Sequence, residues 1–386
     1  MNTVKAGKPS RGSPYHRIVV KLGTSLLTGG TIHLDAAVMS NLVGQVAQLH
    51  QQSQEIFIVS SGAIAAGRSK LGLTRGRDRK HLGIPFKQVL ASVGQSRLMN
   101  VYEQLFAKHS ITVAQALLTR ADLTGRDGYL NARGTLLALL ELRVLCIVNE
   151  NDVVAVDELQ DARFGDNDNL SAMVANLVDA DLLLILSDIA GLHTADPHYH
   201  SNACLISQVE RITPEIENLV TGSAGNLGTG GMVTKLEAAK MATASGVSVV
   251  IADGREPGVI PRVAAGELIG TYFPTATSKL ESRERWLLSG LSTKGRLVVD
   301  SGCARALKRQ KGSLLAVGVV GVEGEFERGD VVEIFDAGGS QLGFGLTNYG
   351  SADIEQIKGA QSGEIVTVLG YDYGSEVLHR NNLVVL

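Results

Sequence analysis

The feature that most restricts the fold is a repeated switch of hydrophobic period along the first two-thirds of the chain. Short continuous apolar runs recur at RIVVKLG, EIFIVSSG, TVAQALL, RVLCIVNEND, DLLLILSD and VSVVIADG. Runs of this kind, rich in β-branched residues and bounded by Gly or polar residues, are expected of strands covered on both faces. Between them lie segments of helical period. AAVMSNLVGQVAQLHQQ places Val38, Leu42, Val46 and Leu49 on one face, and NARGTLLALLELR, NLSAMVANLVDA and KLEAAKMATASG behave alike. The alternation predicts an α/β fold, a mostly parallel open sheet sandwiched by helices.

A chain of 386 residues exceeds what a single core usually serves, so two domains are expected. Beyond about residue 292 the helical period fades. Short strands separated by Gly and Asp, from GRLVVDSG to HRNNLVVL, predict a small all-β domain over 293–386. The polar, basic stretch 1–16 reads as an unstructured N-terminus, 17–275 as the α/β domain and 276–292 as a linker.

Polarity along the strands is uneven. Nearly every run stays apolar until its C-terminal end: Lys21-Leu22-Gly23-Thr24, Ser60-Ser61-Gly62, Asn149-Glu150-Asn151-Asp152, Ser187-Asp188. Ligands of open α/β sheets sit beyond those ends, so one site built from several strand ends is expected.

Composition narrows the partners. The net charge is −3, and the segment from Leu291 onward carries nine basic against twelve acidic residues. Phosphate neutralisation needs the opposite surplus, so nucleic acid is not expected as a partner. No apolar run is long enough to span a bilayer. The three cysteines form no C-x-x-C, which argues against a zinc knuckle or dithiol site and fits a reducing cytoplasm.

The loop NLGTGGMVTK has the glycines, threonines and lysine of a phosphate cradle, yet Lys235 follows Thr234 instead of a glycine. It therefore departs from the common G-x-x-x-x-G-K-[ST] pattern. Its glycines permit close backbone approach, and Lys235 is expected in the first turn of the following helix, against the dipole, where a polyanion would justify it. Lys21, at a strand end before Gly-Thr-Ser, can likewise offer an ammonium and backbone N–H groups to an anion. SSGAIAAG reads as a strand-to-helix turn of the kind that aims N–H groups at an anion. Asp166, Asn167, Asp168 and Asn169 stand in a row before an apolar helix, where Asn169 or Asp168 is expected to cap and the remainder to bind a small polar molecule. The row lacks the glycine and bidentate glutamate of a calcium loop. His193, His198 and His200 stand among loop formers without an acid or thiol to complete a metal set. Two lysines near glycine loops, with an aspartate to hold both ammonium groups, point to phosphoryl transfer, which needs positioning and charge neutralisation more than covalent chemistry. No general base is evident. An acceptor that is already an anion, such as a carboxylate, requires none.

In order and content the motifs VVKLGTSLLTGG, VSSGAIAAG, ASVGQSRLMNVYEQLF, LLTRADL, YLNARGTLLALL, VNENDVVA, GDNDNLSA, SDIAGLHTADP and GTGGMVTKLEAA resemble the glutamate 5-kinase group of the amino acid kinase family. The tail resembles the PUA domain that many members carry. The resemblance implies ATP-dependent phosphorylation of the L-glutamate side-chain carboxylate, the first step of proline synthesis. Carried over by position, Lys21 contacts the phosphates and Ser61 the substrate. Asp152 and Asn167 hold glutamate, with Asn149 beside them, and Asp168 orients the two lysines. Ser187 and Asp188 border the nucleotide, and Thr229, Gly230, Gly231, Met232, Val233, Thr234 and Lys235 form the ATP loop. The resemblance further implies Mg2+ carried on ATP, inhibition by proline, a homo-oligomer and functional coupling to glutamate-5-semialdehyde dehydrogenase. Asp152 is a natural partner for the α-ammonium of glutamate. Two positions depart from the family's usual loop: His193 stands where Tyr is common and His198 where Arg is.

Overall fold

The computed structural model describes residues 13–73, 83–155, 167–197, 200, 202–221, 230–276, 293–310 and 312–386. The expectations for residues 1–12, for Asp166 and His198, for Asn226–Thr229 and for nearly all of the 276–292 linker lie outside the described residues. The described end of the expected unstructured N-terminus is tied down: the His16 and Arg17 N–H groups each donate to Asp181 Oδ2 at 2.8 Å.

The chain divides into two compact units, one of residues 1–119 and 139–276, the other of residues 120–138 and 277–386. The first is built on a seven-stranded sheet in the order β3-β4-β2-β1-β5-β6-β7. Its strands are β1 (Arg17–Leu22), β2 (Glu55–Ser60), β3 (Val113–Leu118), β4 (Leu145–Glu150), β5 (Leu182–Ser187), β6 (Ser248–Asp253) and β7 (Thr271–Phe273). All neighbours pair in parallel except β6 and β7. The expected parallel α/β sheet is therefore present. Strand β3 differs from the fully covered strand its sequence suggests. It is the sheet edge, and its residues alternate between half-buried and exposed.

The register aligns the polar strand ends. Leu22 lies opposite both Ser60 and Leu186, Leu118 opposite Glu150, and Ser187 opposite Asp253. Central β1 has β2 on one side and β5 on the other, so the chain's path reverses there and a crevice opens at its carboxyl end. Side chains of β1 alternate between faces. Ile18, Val20 and Leu22 join a core with Met39, Leu42, Val43 and Val46 of helix α2 (Ala36–Gln51). Helix α2 begins where Asp35 accepts hydrogen bonds from the Ala37 and Val38 N–H groups. The opposite face of β1 carries Val19 and Lys21, and there helix α7 (Asp168–Leu177) packs on β1 and β5.

Helices α3 (Ala63–Lys70) and α4 (Ile84–Ala107) cross in backbone contact through two glycines. A Cβ on Gly67 would lie 1.8 Å from the Leu90 carbonyl oxygen, and one on Gly94 1.8 Å from that of Ala63. Only hydrogen fits at either position. Gly62, which leads into α3, has φ +102°, a left-handed conformation that favours glycine.

The second unit contains a five-stranded sheet whose neighbouring strands are, in order, Val319–Glu323, Gly295–Val299, Val331–Asp336, Gln341–Leu346 and Leu383–Val385. Leu297, Val299, Val332, Ile334 and Leu342 of that sheet form a core with Tyr349 and Ile354. The expected small β domain also carries helices, among them Ser301–Gln310 and Ser351–Ile357. Helix α6 (Arg126–Glu141) sends Leu130, with Tyr129 beside it, onto Val331, Phe344, Leu346 and Val384 of this sheet.

Candidate active site

Lys21, on the α7 face of β1, ends against the first residue of α7. Its Nζ lies 2.7 Å from Asp168 Oδ1, and both side chains are 0% exposed. The other carboxylate oxygen takes Lys235 Nζ at 3.1 Å and the Thr234 hydroxyl at 2.8 Å. One fully buried carboxylate thus holds two buried ammonium groups. A buried ion pair is tolerable when hydrogen-bonded, and two ammonium groups converging on one carboxylate suit a polyanionic ligand.

Lys235 belongs to helix α9, which spans Gly230–Ala244. The helix starts earlier than the sequence suggests, so Lys235 lies in its second turn instead of the first. The helical conformation of residues 231–235 brings both the Thr234 hydroxyl and Lys235 Nζ onto the Gly231 carbonyl, at 3.1 and 3.0 Å. Gly230, Gly231, Met232 and Val233 form the helix start. Thr229 lies outside the described residues.

A second cluster lies at the ends of β2 and β4. The Asn167 side chain donates to the Ser60 carbonyl and to Asn149 Oδ1, both at 2.6 Å. Asn149 Oδ1 also accepts from the Glu150 N–H at 2.9 Å, while Asn149 Nδ2 donates to Gln95 Oε1 at 2.7 Å. The capping expected of Asn169 or Asp168 does not occur. Asn167 occupies the cap position without a side-chain cap bond, because its amide is used on Ser60 and Asn149, and Asp168 faces the lysines. The Ser60 hydroxyl shares a 2.8 Å hydrogen bond with the Tyr102 phenol. Ser61 is buried, its N–H donates to the Leu22 carbonyl at 3.0 Å, and its hydroxyl has no protein partner.

Asp152 sits in the turn after β4, where Val154 and Ala155 N–H groups return to the Asn151 carbonyl. Burial, and then the charge of Glu150, push its carboxyl up to about 6. A carboxylate held that close to neutrality gains from a cationic ligand. On the other flank, Ser187 is buried at the end of β5. Asp188 is exposed, and its carbonyl accepts from Arg255 Nη2 at 2.8 Å. Sequence reasoning gave no role to Gln95, Glu150 or Arg255, although Glu150 stands in the polar end of β4 and Gln95 in the ASVGQ motif.

The profile of the amino acid kinase family matches residues 16–253, well over half of the chain. The chain belongs to the amino acid kinase family. The profile of the PUA domain matches residues 295–369 of this kinase. A protein of Dehalococcoides mccartyi named glutamate 5-kinase is 58% identical over 377 residues, covering 97% of this chain and 100% of that protein. Namesakes from Herpetosiphon aurantiacus and Geobacter sp. are each 49% identical over 96% of this chain and cover 98% and 97% of their own lengths. A UMP kinase structure from Bacillus anthracis aligns with 68% of the kinase and 98% of that chain, at 17% identity and a TM-score of 0.44, too remote a likeness to carry weight. Among the described residues no helix is long and apolar enough to cross a membrane.

Proposed function

We infer that this amino acid kinase transfers the γ-phosphoryl group of ATP to the side-chain carboxylate of L-glutamate, giving L-glutamyl 5-phosphate and ADP, the step that opens proline synthesis. The observation that carries the reading is the pair Lys21 and Lys235 on one buried Asp168, with the hydrogen-bonded amides of Asn167 and Asn149 beginning at the adjacent residue. Relatives over nearly the full length of the chain bear the name of that activity.

The acceptor is a carboxylate, so no group need remove a proton from it. Lys21 and Lys235 neutralise charge on the transferring phosphoryl group and on the departing ADP. Asp168 keeps both ammonium groups aimed without taking part in bond changes. The start of α9 approaches the phosphates with backbone N–H groups, Thr234 remains tied to Asp168, and Ser187 and Asp188 border the nucleoside. Mg2+ supplies further neutralisation when it arrives on ATP. Asp168 is engaged by the two lysines, so the ion would be held chiefly through phosphate oxygens. At the other end, Asp152 and the side-chain oxygen Oδ1 of Asn167 face the α-ammonium, while Ser61 offers its hydroxyl and Asn149 braces Asn167. Inhibition by proline, a homo-oligomeric and cytoplasmic protein, and delivery of the acyl phosphate to glutamate-5-semialdehyde dehydrogenase belong to the same proposal.

The test is incubation with ATP, Mg2+ and hydroxylamine, offering glutamate, N-acetylglutamate, aspartate or UMP. Hydroxamate should form with glutamate and diminish when proline is added. Turnover of another acceptor without turnover of glutamate would overturn the assignment.

A further inference from the structure

A carboxamide's two ends are told apart only by neighbours of known polarity. Here backbone groups fix the whole chain of amides. The Glu150 N–H can only donate, so the Asn149 atom 2.9 Å away is the oxygen. The Ser60 carbonyl can only accept, so the Asn167 atom 2.6 Å from it is the NH2 group. Asn149 therefore turns its own NH2 to Gln95, which must answer with Oε1 at 2.7 Å. Gln95 Nε2 is left as a buried donor with no partner. Asn167 has committed its NH2 to Ser60 and Asn149, so it offers the site an acceptor.

Gln95 follows Gly94, whose backbone is pressed onto the Ala63 carbonyl. That contact sets Gln95 beside the Ser61–Ala63 turn. Two buried donors without a protein partner, Gln95 Nε2 and Ser61 Oγ, are joined by one chain of contacts, from Gln95 to Asn149, on to Asn167 and then to the carbonyl of Ser60, which precedes Ser61. Leaving such donors unsatisfied is costly, and a ligand that supplies acceptors removes the cost.

We propose that Gln95 is a specificity-determining residue, whose Nε2 donates to the α-carboxylate of the amino acid substrate. This rests on the glutamate reading. Glutamate brings three charged groups to the crevice. The side-chain carboxylate goes to the lysine end, where phosphate is transferred. The α-ammonium requires acceptors, which Asp152 and Asn167 provide. The α-carboxylate requires donors, and Gln95 Nε2 together with Ser61 Oγ provides them. The amide chain thus matches each end of the substrate with groups of the correct polarity, at the cost of an unsatisfied donor in the empty site.

Gln95→Glu tests the assignment, because it keeps an oxygen for Asn149 and replaces only the donor with an anion. We expect KM for glutamate to rise by about ten- to a hundred-fold, as for loss of a hydrogen bond to a charged group, with kcat and KM for ATP little changed. Isoglutamine, which has an α-carboxamide and keeps the side-chain carboxylate, can donate to the new anion. The preference for glutamate over isoglutamine should therefore fall by more than the glutamate defect alone. An unchanged KM for glutamate, with an unchanged preference, overturns the proposal and leaves Gln95 as a brace for Asn149. If Gln95→Glu does not fold by its melting profile, Gln95→Met serves instead. A narrowed preference then supports the proposal, and equal loss on both substrates overturns it. Wild-type protein inactive towards glutamate but active on another acceptor would instead fail the glutamate reading itself, and this inference with it.

Discussion

Asp168→Asn removes one charge without changing shape, and the structure sets how much should follow. At distances of 2.7 and 3.1 Å and an effective dielectric constant of about 20, the two attractions amount to about 6 and about 5 kcal/mol before desolvation. Much of that offsets the burial of the charges, so the net cost of deleting one partner from a buried pair is about 3–5 kcal/mol. The variant retains an amide oxygen for one ammonium group but removes the carboxylate that both buried lysines contact. Without ligand, its melting temperature should fall by roughly 6–20 °C, taking about 2–4 °C per kcal/mol for a unit of this size. ATP with Mg2+ brings the missing negative charge, so nucleotide should raise the melting temperature of Asp168→Asn by more than that of the wild type. The turnover number should drop by about 10²–10³, as when a preorganised donor is lost from a transition state. Differential scanning fluorimetry with and without nucleotide, followed by the hydroxamate assay, measures all three. An unliganded variant as stable as wild type, with turnover within tenfold, would refute the view that Asp168 holds two cations for the phosphates.

Lys21→Ala and Lys235→Ala should each lower kcat by about 10²–10³, and the double variant should lose much less than the product, since both act on one phosphoryl group; near-normal turnover of Lys235→Ala would overturn the assignment of its loop. Asp152 must be ionised to receive an ammonium, so KM for glutamate should rise as pH falls through about 6, where its carboxyl titrates in the free protein; Asp152→Asn should show a high KM without that pH dependence. The same raised value means that Asp152 costs stability as pH climbs from about 4, where it titrates unfolded, to about 6, where it titrates folded. Asp152→Asn should therefore melt higher than wild type at pH 8, and an equal or lower melting point would contradict the burial argument. Gly94→Ala should destabilise by about 1–3 kcal/mol through overpacking and raise KM for glutamate, because its methyl group would meet the Ala63 carbonyl at 1.8 Å; chemical denaturation and glutamate titration check both.

Much of the phosphate end was legible from sequence because it depends on short-range rules. Continuous apolar runs placed Lys21 at the end of a buried strand, and helical period placed Asp168 at a helix start and Lys235 on the right helix but one turn too early. That the three meet follows from period-two alternation on β1 once α7 covers that face. The amide end was less legible. Gln95 and Asn149 are separated by 54 positions, and nothing in a helix of mixed polarity marks one glutamine as turned inward. Asn167 misled in the other direction. Its position is that of an ordinary helix cap, and only the neighbouring Ser60 carbonyl and Asn149 show that its amide is committed elsewhere. Strand β3 reads as covered because its apolar run resembles the others; edge position is a property of strand order, which local pattern does not carry.

The seating of Leu130 on Val331, Phe344, Leu346 and Val384 has a consequence for the newborn chain. A ribosome delivers Leu130 long before it delivers Val384, an interval on the order of ten seconds to a minute at typical elongation rates. During that time α6 holds an apolar face whose cover has not been made. Expression of a chain cut after residue 276 would prolong the same exposure indefinitely. Aggregation of such a fragment would then reflect an orphaned helix face, and it would say nothing about the catalytic sheet.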